Sequence, residues 1–235
     1  MKILNIKPNK NKKLKVLIRG MQYYRYPIKT HLITPLDNIL KLVVQYLKHL
    51  AKPDDTIAIS EKVVAITQKR SYSINKIKPS SLAYFLSKYV KKSPYGIGVS
   101  IPQTMQLAIQ ETGKVRILFA SVVSALTKIF GIRGMFYRIA GRKVAVIDGP
   151  VDYAISPYNK HCSLGPKNPD LVCEKIAEIL NCKTVIIDAN DLGVEVLGRS
   201  NKKISKKLIK EIFCDNPLGQ TNEQTPLAIV RSSDK

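Results

Sequence analysis

Three polar clusters in this 235-residue chain carry side chains suited to holding phosphate or a metal ion. Asp188-Ala189-Asn190-Asp191 follows the apolar run Thr184 to Ile187. Its oxygens suit a hard divalent cation, which prefers carboxylate and amide ligands and keeps waters for substrate phosphates. The same residues would equally make a turn whose side chains bond their own backbone. Leu218-Gly219-Gln220-Thr221-Asn222-Glu223-Gln224-Thr225-Pro226 precedes a second apolar run. There Gly219 permits close backbone approach, and Gln220 and Glu223 offer oxygen ligands; a plain polar turn is the alternative. The third cluster, Val146-Ile147-Asp148-Gly149-Pro150, carries an acid from a strand into a tight turn, the ordinary place for a turn Asp. Lys62, Lys69 and Arg70 near one expected strand pair, and Arg133, Arg138 and Arg142 farther on, are candidate phosphate partners, although such cations are more often surface charges. With no Gly-x4-Gly-Lys-Ser/Thr loop, a nucleotide would bind outside the phosphate-loop scheme. His31, His49 and His161 lie far apart, and no Ser/His/Asp set assembles from them.

Elements to position these clusters follow from periodicity. Leu17 to Tyr26 opens as a strand, and Thr34-Pro35 reads as a helix start before Leu36, Ile39, Leu40, Val43, Leu47 and Leu50, which repeat at three- and four-residue steps. Thr56 to Ser60 is an expected strand, with the short apolar run Val63 to Thr67 beside it. Further helices are expected from Ser80-Ser81, over about 102–111, after Asn168-Pro169, and over about 203–213. Residues 131–149 read as a twisted hairpin of Met135–Ala140 and Lys143–Ile147 joined through Gly141-Arg142. Leu227 to Val230 is the expected final strand. Strands and helices mix without a regular βαβ rhythm, which favours an α+β fold of mixed sheets with packed helices. No linker divides the chain, so residues 20–235 read as one continuous domain behind a basic arm, residues 1–19.

Composition narrows the function classes. The chain is 45% hydrophobic, enough for a packed core and too much for a disordered tail. Its 39 Lys and Arg against 17 Asp and Glu give a net charge of +22. That charge attracts polyanions, but the lysines are scattered and Arg, the usual base-reading residue, is scarce, so nucleic acid is a possible partner and not the favoured one. Lys2, Lys7, Lys10, Lys12, Lys13, Lys15 and Arg19 crowd the first nineteen residues without an acid, which reads as a solvated arm. The four cysteines form no Cys-x-x-Cys pair, so a Cys/His metal site is not expected. The longest apolar stretch, Val115 to Phe130, is interrupted by polar residues and is short for a membrane span. With no apolar leader behind the basic start, a reducing cytoplasm is the simplest location.

Taken together, the clusters resemble the F420-0:L-glutamate ligase family, the gamma-glutamyl ligases of a deazaflavin coenzyme. Residues 218–231 look like the family's Gly-Gln-x-x-Glu-x-x-Pro segment followed by an apolar strand and Arg, here Arg231. Asp54-Asp55-Thr56-Ile57-Ala58-Ile59-Ser60-Glu61-Lys62 is similar to its acidic turn, strand and Ser/Lys continuation. Val185 to Gly193 is similar to its strand and Asp-Thr-x-Gly region, with Gly193-Val194-Glu195 in place of a Gly-Arg-Pro-type continuation. The family's Ala-Asn-Ala-Gly-type motif is not intact: Phe136 to Arg142 is the nearest segment, and Asp148 lies seven residues past Gly141. The resemblance implies a GTP-dependent (or ATP-dependent) amide ligase using Mg or Mn, an acidic small-molecule acceptor, and an intertwined homodimer with the family's own α+β fold. It places Lys62, Asn190, Gly219, Gln220 and Glu223 at the nucleotide and Asp148, Asp188, Asp191 and Gln220 at the metal, with the catalytic groups unassigned. The alternative is a relative without turnover that binds a nucleotide, a cofactor or nucleic acid on the same scaffold.

Overall fold

The computed structural model describes residues 6–90, 97–190 and 193–233. In chain order the elements are β1 (Lys15–Ile18), β2 (Met21–Ile28), α1 (Ile39–Leu47), β3 (Thr56–Ser60) and α2 (Glu61–Thr67), then β4 (Ser71–Ser73), α3 (Ser81–Ser87), α4 (Pro102–Thr112), α5 (Lys114–Ile129), α6 (Met135–Ala140), α7 (Arg142–Ala145) and β5 (His161–Ser163). The chain closes with α8 (Pro169–Leu180), β6 (Lys183–Asn190), β7 (Gly193–Arg199), α9 (Lys206–Ile212) and β8 (Leu227–Ser232). The fold is α+β, as expected. Among the described residues no helix is long and apolar enough to cross a membrane.

The chain divides into two compact units, residues 1–69 with 166–235, and residues 70–165. Sequence gives no sign of this boundary because the second unit is an insertion rather than a neighbour. Its two flanking segments are clasped by one side chain: Gln68 Nε2 donates to Lys167 O at 3.0 Å, and Lys167 N donates to Gln68 Oε1 at 2.6 Å.

The first unit holds a six-stranded sheet in the order β1-β2-β8-β3-β6-β7, with β3 and β6 parallel and every other pair antiparallel. Ile57, Ala58 and Ile59, Val185, Ile186 and Ile187, and Leu227, Ala228 and Ile229 are fully buried. These strands read as continuous apolar runs because helices cover both faces. On one face Ile209, Ile212 and Phe213 at α9 pack on Ala58, Val185, Ile187, Val196, Ala228 and Val230. On the other, α8 packs on β6 and β7, and α2 on β3 and β6. Gly198 permits that approach, since a Cβ there would lie 2.5 Å from the Pro169 carbonyl carbon.

Several expectations are corrected. The solvated arm is in part built in: Lys15–Ile18 is β1, and Arg19-Gly20, both with positive φ, make the two-residue turn that suits a twisted hairpin. Arg19 then pairs bidentately with Glu211 of α9. The first helix starts later than Thr34-Pro35. Asp37 closes a turn there, accepting from Thr34 N at 2.7 Å, and Asn38 is the N-cap, accepting from Leu40 N at 2.9 Å. Val63 to Thr67 belongs to helix α2, so Lys62 and Lys69 do not flank a strand pair. The hairpin over 131–149 is two short helices, α6 and α7. Phe136, Ala140, Val144 and Ile147 are the buried hydrophobic residues, spaced four, four and three as a helix requires, and Gly134 and Gly141 with positive φ punctuate the ends.

Two motif segments far apart in sequence meet in an ion pair. Arg231 Nε and Nη2 donate to Asp55 Oδ1 and Oδ2 at 2.7 and 2.6 Å, with Arg231 5% and Asp55 1% exposed. Lys52 N also donates to Asp55, Arg231 donates to Leu50 O, and its guanidinium stands 5.9 Å over the Tyr26 ring. The hydrogen bonds to Asp55 raise the Arg231 pKa, outweighing the burial that would lower it. Removing one member leaves an uncompensated buried charge, so Arg231→Ala or Asp55→Ala should each cost about 3–5 kcal/mol. Equilibrium urea unfolding measures this, and a loss under about 1 kcal/mol would refute it.

Candidate functional site

The sheet's register brings the separated clusters to one end. β3 and β6 run parallel with Ser60 opposite Ile187, so their carboxyl ends lie at the same end of the sheet, the side on which ligands bind beyond parallel strands. One residue past that pairing stands Asp188; one and two residues past Ser60 stand Glu61 and Lys62 at the start of α2. β8 runs antiparallel to β3 and begins with Leu227 opposite Ile59, and Ser60 N donates to Pro226 O at 2.8 Å. The 219–226 loop is therefore delivered to the same end of the sheet. On its other side Thr30 N donates to Gln224 O at 2.9 Å.

Asp188 and Asn190 lie on β6 itself, half-buried and paired with Glu195 and Gly193 of β7. They form no separate turn; the strand runs on through them. Glu195 is tied to Lys210 of α9 at 2.6 Å, which neutralises the acid directly across from Asp188. Glu61 is 6% exposed, a carboxylate buried at the edge of the site that the sequence reading did not single out. Its place next to Lys62 after an apolar strand was the available signal.

The loop is held by its own polar groups and by residues about 200 positions away. Thr225 Oγ1 donates to Leu218 O at 2.7 Å, while Asn9 Nδ2 donates to Pro217 O at 2.9 Å and to Thr225 Oγ1 at 2.7 Å. Lys12 Nζ donates to Asp215 O at 2.6 Å. Fully buried Arg25 donates to Ile212 O at 2.7 Å, to the Lys13 carbonyl, and to both oxygens of Asp215. The braces from Asn9, Lys12 and Arg25 to residues 212–225 are not visible from local sequence, because each spans more than 180 residues.

Within the loop the candidates divide. Gly219 has φ +78°, and a Cβ there would sit 2.5 Å from Glu223 Cδ. Glu223 Oε2 accepts from Thr221 N at 2.7 Å, so this carboxylate clasps its own loop. Gln220 is different: its side-chain nitrogen is shielded from water and has no hydrogen-bond partner among the described residues, a donor awaiting an acceptor. Asp148 belongs to the second unit, where it exchanges backbone hydrogen bonds with Ser163. Asp191 lies outside the described residues. Arg70 is taken up by Glu111 at 3.0 Å and Gly165 O at 2.6 Å, which removes it as a phosphate partner.

A family model described as F420-0:gamma-glutamyl ligase matches residues 27–190 of the 235. The chain belongs to this family. A comparison with curated protein sequences gave no match. Family membership indicates ligase activity as the class. The match spans Lys62, Asp148, Asp188 and Asn190 of this gamma-glutamyl ligase relative. It stops before the 219–226 loop, whose place at the site rests on the β8 register instead.

Two outcomes are expected. Gly219→Ala must force a positive φ on a residue with a Cβ and displace Glu223. It should cost about 1–2 kcal/mol and free the Thr221 amide, read as a lowered Tm and faster hydrogen exchange in the loop; an unchanged Tm would contradict the clasp. The second concerns pH. Burial alone would raise the Asp215 pKa, but its hydrogen bonds and charge interaction with Arg25 outweigh this and hold it below the ordinary value. A depressed carboxyl contributes stability above the unfolded value, near about 4, and that contribution is lost as pH falls through the folded one. Wild-type stability should therefore fall more steeply than that of Asp215→Asn below about pH 4. Parallel stability curves for the two proteins would refute it.

Proposed function

We propose that the chain is a nucleotide-dependent amide ligase that joins an amino acid to a small acidic acceptor. The observation that supports this most is the meeting of Lys62, Asp188 and the 219–226 loop at the carboxyl ends of β3 and β6. In this reading Lys62 and Gln220 hold phosphate oxygens of GTP or ATP, the Gln220 amide nitrogen finding there the acceptor it lacks. Gly219 keeps the loop backbone close, Glu223 fixes its shape, and Asn190 contacts the nucleotide.

Mg or Mn belongs to the proposal through Asp188. Among the described residues no group of three or more His, Cys, Asp or Glu gathers to hold an ion alone. Beside a nucleotide Mg is usually held by one or two carboxylates together with substrate phosphates and water, the part Asp188 takes in this proposal. Bound there, it would neutralise charge on the phosphates. The chain's own part is to orient the phosphates and keep the acceptor in line.

The proposed reaction has two steps. An acceptor carboxylate oxygen bonds to the γ-phosphorus as the bond to the β–γ bridging oxygen breaks, and the nucleoside diphosphate leaves. The amine of the amino acid then bonds to the acyl carbon, phosphate leaves, and the amine gives up a proton. No side chain is assigned to that proton transfer. A homodimer and glutamate as the donated amino acid, both carried from the family resemblance, complete the proposal.

Isothermal titration with GTP and with ATP, each with and without Mg or Mn, is the test. Metal-dependent binding weakened at least about tenfold, ~1.4 kcal/mol, by Asp188→Ala and by Gln220→Ala is expected. No nucleotide binding under any metal condition would sink the ligase reading. Binding without amide formation across acidic acceptors and glutamate would instead favour a binding relative without turnover.

A further inference from the structure

The segment joining β2 to α1 holds a chain of three titratable side chains. His31 Nδ1 lies 2.8 Å from Tyr46 Oη, and His31 Nε2 lies 3.1 Å from Asp37 Oδ1. The His31 amide donates to the same Tyr46 oxygen at 3.1 Å. Asp37 is secured separately, its Oδ2 accepting from Thr34 N and Thr34 Oγ1 at 2.7 and 2.9 Å. Tyr46 comes from α1, whose buried face is Ile39, Leu42, Val43 and Leu47. It stands half-buried at the border of that face. Side chains on a helix lean toward its N-terminus, which carries Oη back to the 31–38 turn.

The partners decide where the protons sit. Burial alone would raise the Asp37 pKa, but hydrogen bonds from Thr34 and His31 outweigh it and hold the carboxyl below its ordinary value. An ionised carboxylate only accepts, so a neutral His31 carries its proton on Nε2 and leaves Nδ1 to accept from the Tyr46 hydroxyl. Acid, imidazole and hydroxyl in that order activate an oxygen or pass a proton. Tyr46 Oη has two acceptor positions, and the His31 amide takes one, leaving the other for a donor.

The three groups border the candidate site. Ile28, the last residue of β2, pairs with Leu227, so β2 finishes at the same end of the sheet as β3 and β6. Thr30 N, one residue before His31, donates to Gln224 O of the 219–226 loop. Tyr46 Oη therefore lies within about 10 Å of that carbonyl oxygen. A bound amino acid can bridge such a gap.

We propose that Tyr46 is the catalytic group that takes the amine's proton in the amide-forming step, with His31 the base behind it and Asp37 positioning the ring. This rests on the ligase reading and supplies the proton transfer that reading leaves unassigned. As the amine nitrogen bonds to the acyl carbon and phosphate leaves, the N–H proton passes to Tyr46 Oη and the Tyr46 proton passes to His31 Nδ1. The imidazolium so formed faces the Asp37 carboxylate. Its proton then returns through Tyr46 to water or the departing phosphate, which restores the starting state.

The test separates the two steps of the reaction. The full chain is supplied with GTP or ATP, Mg or Mn, and coenzyme F420-0 or a panel of small dicarboxylic acids as acceptor. Hydroxylamine traps an acyl phosphate as a hydroxamate without help from a base; glutamate needs one. Tyr46→Phe and His31→Gln should each slow amide formation with glutamate about 100-fold, with hydroxamate formation, nucleotide affinity and Tm unchanged. An equal fall in both products assigns the three groups to bracing the turn and overturns the relay. Unchanged amide formation overturns it too, and both results leave the ligase reading standing. A wild type that yields neither product with any of these acceptors overturns the ligase reading and the relay with it. Nitrogen-15 NMR gives a readout apart from turnover, His31 being assigned by the signals lost in His31→Gln. A neutral ring protonated at Nε2 is expected, and a neutral ring protonated at Nδ1 overturns the relay.

Discussion

The ion pair between Asp55 and Arg231 fixes where the last strand lies, and much of the candidate site follows from it. Thr56 pairs with Val230, so Asp55 and Arg231 are the next residues out on each strand. A one-residue slip of β8 would turn Arg231 to the opposite face and leave both charges buried and unpaired. With that register set, Pro226 meets Ser60, and the loop before it arrives at the carboxyl ends of β3 and β6. The charge pair sits at one end of β3 and the candidate chemistry at the other. Register transmits position between them without any contact between the two sites.

The loop's second anchor comes from the opposite end of the chain. Asn9 and Lys12, from the segment whose lysines suggested an arm in solvent, and Arg25 of β2 hold residues 212–225. Arg25 is fully buried, yet its guanidinium meets two carbonyls and a carboxylate. A cation so placed has little freedom, and neither has the backbone that accepts from it. The N-terminal segment is thereby part of the site's framework rather than an appendage to it.

Sequence told most where chemistry is local. The strands 56–60 and 227–230, the Ser80 cap of α3, and Pro169 opening α8 were all readable from apolar runs, a hydroxyl before a helix and a proline at a first turn. Reading failed where two periods compete. Phe136, Ala140, Val144 and Ile147 follow a helical spacing, but Gly141-Arg142 between short apolar runs suggested a hairpin turn. Of the candidate residues, Lys62, Asp188, Asn190 and Gln220 were singled out by residue type, by neighbours and by the family resemblance. Their meeting could not be, because it depends on a parallel pairing across more than a hundred intervening residues. Glu223 was read as an oxygen ligand, whereas a turn with Gly219 at positive φ brings its carboxylate onto the Thr221 amide of its own loop.

The last strand of the chain lies in the interior of the sheet, between β2 and β3. A ribosome that has released residue 226 has produced every strand except the one those two need as a neighbour. Until then two apolar strand edges stand open, and an inserted unit has already emerged between the halves that must join. Such late, long-range closure is slow, and it lengthens the interval in which exposed edges can pair with other chains. Vulnerability to misassembly during synthesis is accordingly greatest until residues 227–232 close the gap between β2 and β3.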